Sequence, residues 1–546
     1  MIALPTGIQP VVLARRTLLA LLLLWPDAWL LLVSPEPFSV GDAAIFTGLC
    51  VLGVALPFLW VRSLRAFWLW NLPVALVAGF YGAYVVYFRA APYSGLWSAL
   101  WATTWTELSE LALHFRVAAF AGVALFAVYA VLAWTESTAS LQLSGRARKL
   151  LAAIVAWAAL CVLGIPTLWA FPDIVYRRPV TEEVFRSTYP AGFAVQAVRS
   201  GLRTFDDVAE APRAVKFRAT PGREIYVQVI GESEQYFLWR QQLDVSGAAF
   251  PRDPSVILFR ENLSQANLTQ LALPLILTGK AAPREALASP TWLQFAQARG
   301  CRTGWLAANE FPGQRMYRRS IDFVFDLHEV TRGVESHIYD DMMLPEIRRI
   351  LAQGPEKVCL LVHMNGSHIA YGERYRPEQA RYPVEYGKPG PDGLDPVKAA
   401  YQNSLLKSIA FVDGVIAALK SVPDARSFLL YAPDHGENMQ DDARGLIAHS
   451  HNPPTLYEAR IPLVVWSSPA FQREHAAQWQ AMQANAQAGV PTSNQFLFPT
   501  MLWAMGVENP VADAPPTLFD DGRALRGFRR TVASSEDAIY GEDVVR

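Results

Sequence analysis

Two domains of different class are predicted, a five-helix membrane domain over residues 1–172 and an α/β domain over 222–546, joined by a linker over 173–221. Three observations carry this reading. At 546 residues the chain exceeds one ordinary core. Its hydrophobic fraction of 52% is concentrated before residue 172. Beyond residue 221, apolar β-rich runs alternate with helical patterns, the signature of a sheet covered on both faces. The 48 basic and 49 acidic residues nearly cancel, so no basic stripe points to a nucleic-acid partner.

A helix needs about 20 mostly apolar residues to cross a bilayer. Five segments meet this: Thr17–Val33, Ala43–Val61, Phe67–Phe88, Val117–Trp134 and Leu150–Phe171. The first contains Pro26 and Asp27, and Asp27 is expected to face the membrane interface. Arg15 and Arg16 before an apolar run also suit a signal peptide, but the run ends in Ser34-Pro35-Glu36-Pro37 without a small-x-small cleavage pattern. An anchor is the expectation. Arg15 and Arg16, then Arg62 and Arg65, then Arg146, Arg148 and Lys149 occupy alternate connections. That pattern places the N-terminus in the cytoplasm and everything after the fifth span outside. Trp97, Trp101, Trp105, Leu108 and Leu111 recur at helical spacing, either as a helix in the membrane surface or as a packing face.

In the second domain, strands are expected at Ile225–Ile230, Thr303–Ala307, Val358–Met364, Phe428–Tyr431 and Pro462–Trp466. Helices are expected at Leu268–Leu277, Met343–Leu351 and Val397–Leu419. Cys50 and Cys161 read as small buried hydrophobes, whereas Cys301 and Cys359 are far apart in sequence and free to pair across a fold.

Ligand sites in such sheets sit at the carboxyl ends of strands. Three strand ends carry chemistry: Gly231-Glu232-Ser233, the stretch from His363 to His368, and Asp434-His435-Gly436-Glu437. Glu232, Asp434 and His435 supply two carboxylates and one imidazole, a set suited to zinc with an open coordination position. Manganese prefers all-oxygen sites, so His435 favours zinc over Mn2+. Singly, each motif also has a plain structural reading as a cap or a surface turn.

Together these motifs resemble the phosphoethanolamine transferases of the alkaline phosphatase and sulfatase superfamily. Gly231-Glu232-Ser233 looks like that family's Gly-Glu-Thr element, and Asn267-Leu268-Thr269 with Pro274 looks like its Thr-x-Thr…Pro helix start. His363-Met364-Asn365-Gly366-Ser367-His368 with Arg374-Tyr375, Asp434-His435-Gly436-Glu437, and Ile461–Trp466 follow in the family's order. The resemblance covers about residues 225 to 505 and implies a sulfatase-like, alkaline-phosphatase-like α/β domain in the periplasm on a bacterial inner-membrane, multi-pass anchor. It implies Glu232, Thr269, Asp434 and His435 as zinc ligands, with Thr269 as nucleophile. His368 and one of His449 and His451 would hold phosphate or protonate a leaving oxygen, and Arg315 would be a further phosphate contact.

The implied reaction moves phosphoethanolamine from phosphatidylethanolamine, through a Thr269-linked intermediate, to an envelope glycolipid or glycan acceptor. Gln265 and Leu275 stand where lipid A-modifying members carry cysteines, which leans toward a core sugar or a periplasmic glucan. No Cys or Ser is followed by x-Pro-x-Arg, so the formylglycine nucleophile of sulfatases is not expected. A phosphoglycerol transferase of the same superfamily, or a membrane scaffold with a decayed site, are the competing readings.

Overall fold

The computed structural model describes residues 10–33, 40–88, 116–139, 145–163 and, with short gaps, 215–545. The chain divides into two compact units, Met1–Trp101 with Trp105–Arg203, and Ala102–Thr104 with Thr204–Arg546. The tryptophan stripe at 97–105, Leu108, Leu111, Arg315 and the first part of the expected linker lie outside the described residues.

In the first unit, helices run over Pro10–Val33, Val40–Ala55, Leu64–Trp70, Leu72–Phe88, Arg116–Trp134 and Gly145–Leu163. Each of the five expected ranges therefore contains helix. Among the described residues, Arg116–Trp134 alone is long and apolar enough to cross a membrane unaided. Leu64–Trp70 and Leu72–Val86 pass that test as one pair bent by 45°. Small residues bring two of these helices close: a Cβ added at Gly79 would lie 2.8 Å from the Gly122 Cα. At one end of the unit, Arg16 meets Glu136 at 3.2 Å and Arg65 Nε donates to the Glu136 carbonyl at 2.8 Å. Basic residues from two expected cytoplasmic connections thus converge on one place. Asp27 departs from expectation: it is 4% exposed, packed inside the unit rather than facing an interface. Cys50 is buried as expected, and Cys301 and Cys359 are buried free thiols rather than a bridge.

The second unit is built on strands β1 (Glu224–Gly231), β2 (Val256–Leu263), β3 (Arg302–Ala307), β4 (Phe323–Asp326), β5 (Lys357–His363) and β6 (Arg426–Pro433). Later come β7 (Asn438–Met439), β8 (Ile447–Ala448), β9 (Arg460–Ser467), β10 (Thr492–Ser493), β11 (Thr531–Ala533) and β12 (Ile539–Gly541). Eight strands form one sheet in the order β10-β2-β9-β6-β1-β5-β3-β4. The central β1 is buried along its whole length and runs parallel to β5 and β6, and β9 is antiparallel to β6 and β2. Near-continuous apolar runs suit strands covered on both faces. The expected strands all form, each within two residues of its expected ends. The helices Thr269–Thr278, Leu344–Gln353 and Pro396–Lys420 occupy the expected helical ranges. Asp395 caps the last of them, accepting from the Val397 and Lys398 amides.

The amino edge of the sheet is held by a buried ion cluster. Glu224 is 0% exposed and pairs with Arg299 at 2.9 Å, with Arg426 at 3.5 Å and with Lys357 at 3.6 Å. Burial pushes the Glu224 carboxyl up, but hydrogen bonds from Thr220 and Tyr226 and the Arg299 charge outweigh that and hold it below its ordinary 4.5. Residues just before β1 join the same end: Arg218 N donates to the Gly506 carbonyl at 2.8 Å, and its guanidinium lies over the Trp503 ring. Removing one member of such a cluster leaves buried charge uncompensated. Glu224→Gln should therefore destabilise the chain by about 3–5 kcal/mol, read as a lowered Tm. Because the folded value is depressed, this stabilisation is present above 4.5 and lost as pH falls through the folded value. The Tm difference between wild type and variant should shrink once the pH drops below 4.5.

Candidate active site

Strand register builds the site. Gly231 and Pro433 are paired neighbours at the carboxyl ends of β1 and β6, so the turns that follow present Glu232 and Asp434 side by side. Two cross-links fix these turns: Asp434 N donates to the Gly231 carbonyl at 3.1 Å, and Ser233 N donates to Asp434 Oδ1 at 3.3 Å. Ser233 adopts φ 58°, a left-handed conformation, and its hydroxyl donates to Glu232 Oε1 at 2.9 Å. A side chain at Gly436 would strike the Tyr457 carbonyl at 2.2 Å, so glycine is required immediately after His435.

Thr269 enters from the side, at the start of the helix Thr269–Thr278. Its Oγ1 lies 3.1 Å from each Glu232 carboxylate oxygen and 3.2 Å from His435 Nε2. The His435 Nδ1 faces the Gly436 carbonyl at 2.9 Å, which leaves the Nε2 lone pair directed at the threonine.

Glu232, Asp434 and His435 are all 0% exposed, and one ligand atom from each lies within 4.8 Å of the others. Burial and the Asp434 charge push the Glu232 carboxyl well above its ordinary range, and burial lowers the His435 imidazole. Asp434 Oδ2 is buried with no hydrogen-bond partner. Two carboxylates forced together, one oxygen unsatisfied, and an imidazole presenting a lone pair are the donor set of a divalent cation. The residues fit zinc.

His449 belongs to the same cluster. Its ring centroid is 4.2 Å from that of His435, and its Nδ1 is 2.7 Å from Glu437 Oε2. Burial works against a charged His449, but Glu437 outweighs it and raises the imidazole above its ordinary value. Glu437 also accepts the Tyr371 hydroxyl at 2.5 Å. His451 is engaged elsewhere: its Nδ1 is 2.6 Å from Glu458 Oε1, and its carbonyl accepts the Asn267 side chain at 2.7 Å. His368 ends the turn after β5, half-buried, with burial and the charges of Arg374 and His449 keeping it neutral. Arg374 Nε donates to the His368 carbonyl at 3.2 Å. The turn is pressed on the Glu232 loop: Ser367 N donates to the Glu232 carbonyl at 2.9 Å, and a Cβ at Gly366 would meet Glu232 N at 2.8 Å.

Two residues absent from the sequence reading hold this arrangement. Asn309 Nδ2 donates to Glu232 Oε2 at 3.0 Å, and half-buried Asp340 accepts the Asn365 and Gly366 amides at 2.7 and 3.0 Å. Burial raises the Asp340 carboxyl to about 6. Asn309 directly follows the apolar β3, the one signal that could have found it; Asp340 carries no such mark.

A mixed, mainly parallel sheet with acid, imidazole and hydroxyl groups gathered at the carboxyl ends of β1 and β6 defines an α/β domain with a candidate metal centre. The family profile described as Sulfatase matches residues 226–507, more than half of the chain, and the chain belongs to that family. It is 30% identical over 182 residues to the Kdo(2)-lipid A phosphoethanolamine 7''-transferase of Salmonella typhimurium, covering 31% of each protein. It is 24% identical over 299 residues to the phosphoethanolamine transferase EptC of Escherichia coli, covering 51% of this chain and 52% of that protein. The chain thus spans about a third to a half of the curated relatives it matches. The integral membrane lipooligosaccharide phosphoethanolamine transferase A of Neisseria meningitidis shares its fold, with a TM-score of 0.68 over 90% of this chain and 96% of that one at 19% identity. The periplasmic domain of Escherichia coli EptC in complex with Zn superposes with a TM-score of 0.53, over 62% of this chain and 97% of that one at 20% identity.

If Asn309 orients a metal-binding carboxylate, Asn309→Ala should weaken zinc affinity by about 10–100-fold with little loss of Tm. Competition with a chromogenic chelator measures this without any substrate.

Proposed function

We propose that the chain transfers phosphoethanolamine from phosphatidylethanolamine to an envelope glycolipid or glycan through a covalent Thr269 intermediate. The observation that supports this most is the Thr269 hydroxyl, within 3.2 Å of both a buried carboxylate and an imidazole lone pair. The relatives named above point the same way, each being named a phosphoethanolamine transferase. We place the catalytic unit in the periplasm on a multi-pass inner-membrane anchor, a topology that the alternating basic connections support.

Glu232, Asp434, His435 and Thr269 are the residues that would hold zinc. When bound, such a cation lowers the pKa of a ligated hydroxyl and offsets phosphate charge. Thr269 Oγ1, as its alkoxide, attacks the donor phosphorus, and the diacylglycerol oxygen leaves with a proton from His449. The position of Thr269 at a helix N-terminus favours the anionic phosphoryl group. His449, oriented by Glu437, is the group we assign to proton delivery, and His368 is the one we assign to holding phosphate. An acceptor oxygen then attacks the phosphoethanolamine–Thr269 ester in line, losing its proton as threonine is released. Ping-pong kinetics follow. His451, bonded to Glu458, is assigned no proton in this scheme. A lipid donor explains the anchor, since that donor never has to leave the bilayer.

Thr269→Ala should reduce transfer by at least about a thousandfold, because no ester can form. Intact-mass spectrometry of acid-quenched wild-type enzyme with phosphatidylethanolamine should show a phosphoethanolamine adduct on the peptide containing Thr269. A phosphoglycerol adduct would replace the assigned head group, and an active Thr269→Ala variant would reject the mechanism. Comparison of envelope glycolipids and glucans with and without the gene would name the acceptor.

A further inference from the structure

The last strands of the chain lie outside the family match, which ends at residue 507, yet they touch two segments of the candidate site. β11 runs beside the residues that lead into Thr269. Ala533 N donates to the Gln265 carbonyl at 2.8 Å, and Asn267 N donates to the Ala533 carbonyl at 3.1 Å. The same hairpin grips the loop that carries His449 and His451. Ser534 Oγ and Tyr540 Oη both donate to Asn452 Oδ1, at 2.6 and 2.5 Å.

The two gripped segments are also tied to each other. Asn267 Nδ2 donates to the His451 carbonyl at 2.7 Å, and Ser450 Oγ donates to the Asn267 carbonyl at 3.5 Å. Val532 and Val545 pack with Leu263 and Ala459, closing an apolar seam beneath the polar contacts. Asn452 is three residues from His449, and Asn267 is two from Thr269. A loop free to move by one ångström would misplace a proton donor, and misplacement on that scale costs up to about a hundredfold in rate.

We propose that the C-terminal hairpin is a clamp that fixes the separation between Thr269 and His449, with Ser534, Tyr540 and Asn452 as positioning residues. This rests on the reading given under Proposed function. The contacts described for these three run to one another rather than to Glu232, Asp434 or His435. They act by holding the backbone of the histidine loop against the backbone before the nucleophile. The side-chain contacts are redundant, because two donors share one acceptor, so a single donor deletion is a weak test.

The test uses the full-length chain in detergent with phosphatidylethanolamine and an envelope glycolipid extract. The Ser534→Ala/Tyr540→Phe double variant and Asn452→Ala should each lower kcat about tenfold, with the donor KM changed less than about twofold. Zinc content and Tm should match wild type. Asn452→Asp keeps the shared acceptor oxygen and should restore kcat to within about twofold of wild type. Wild-type kcat in both the double variant and Asn452→Ala would overturn the clamp, as would losses of kcat that run in proportion to losses of Tm or zinc. Failure of wild-type enzyme to transfer phosphoethanolamine would instead reject the proposed reaction. In that case the clamp is judged by hydrolysis of a chromogenic phosphate ester, with the same expected and overturning outcomes.

Discussion

Glu232 and Asp434 are two buried carboxylates on adjacent turns, held side by side because β1 and β6 run parallel in register. Left to themselves they repel, and burial makes each charged form more costly. The surrounding structure nevertheless over-determines their position. Backbone amides, the Ser233 hydroxyl and the Asn309 carboxamide all converge on these two side chains. A site assembled against its own electrostatics is a site arranged for an ion of opposite charge. The placement of Thr269 and the orientation of His435 follow from that requirement.

The two edges of the sheet solve the problem of buried charge in different ways. At the amino edge, Glu224 is satisfied within the protein by Arg299, Arg426 and two hydroxyls. At the carboxyl edge, among the described residues, no Lys or Arg makes an ion pair with Glu232 or Asp434, and the imidazole beside them is kept neutral by burial. One edge is closed by protein groups, whereas the other carries a donor set that fits a divalent cation.

Much of this was legible in the sequence, for a definite reason. A run such as Val358–Val362 marks a covered strand, and a polar cluster directly after it marks the edge where ligands gather. Glu232, His368, Asp434 and His435 are legible on that ground, and Thr269 only through the resemblance of Asn267-Leu268-Thr269 to a family's helix start. Asn309 was passed over although it closely follows β3, and Asp340 was not legible, because it reaches the site from a segment that carries no motif. β2 was obscured by Arg260 and Glu261 within its run, and the three-residue strands β11 and β12 are too short to show a period. The sequence could not separate His449 from His451, which share a loop. Their carboxylate partners separate them, Glu437 beside His435 for one and Glu458 for the other. Asp27 was expected at an interface because helical periodicity alone does not reveal which neighbours a face acquires.

Gly366 leaves no room between its own turn and the backbone of Glu232. The two loops are therefore mechanically one body, and neither slides without dragging the other. Outward movement of the turn after β5 would therefore displace the Glu232 carboxylate as well, so this wall of the candidate metal centre is fixed in place.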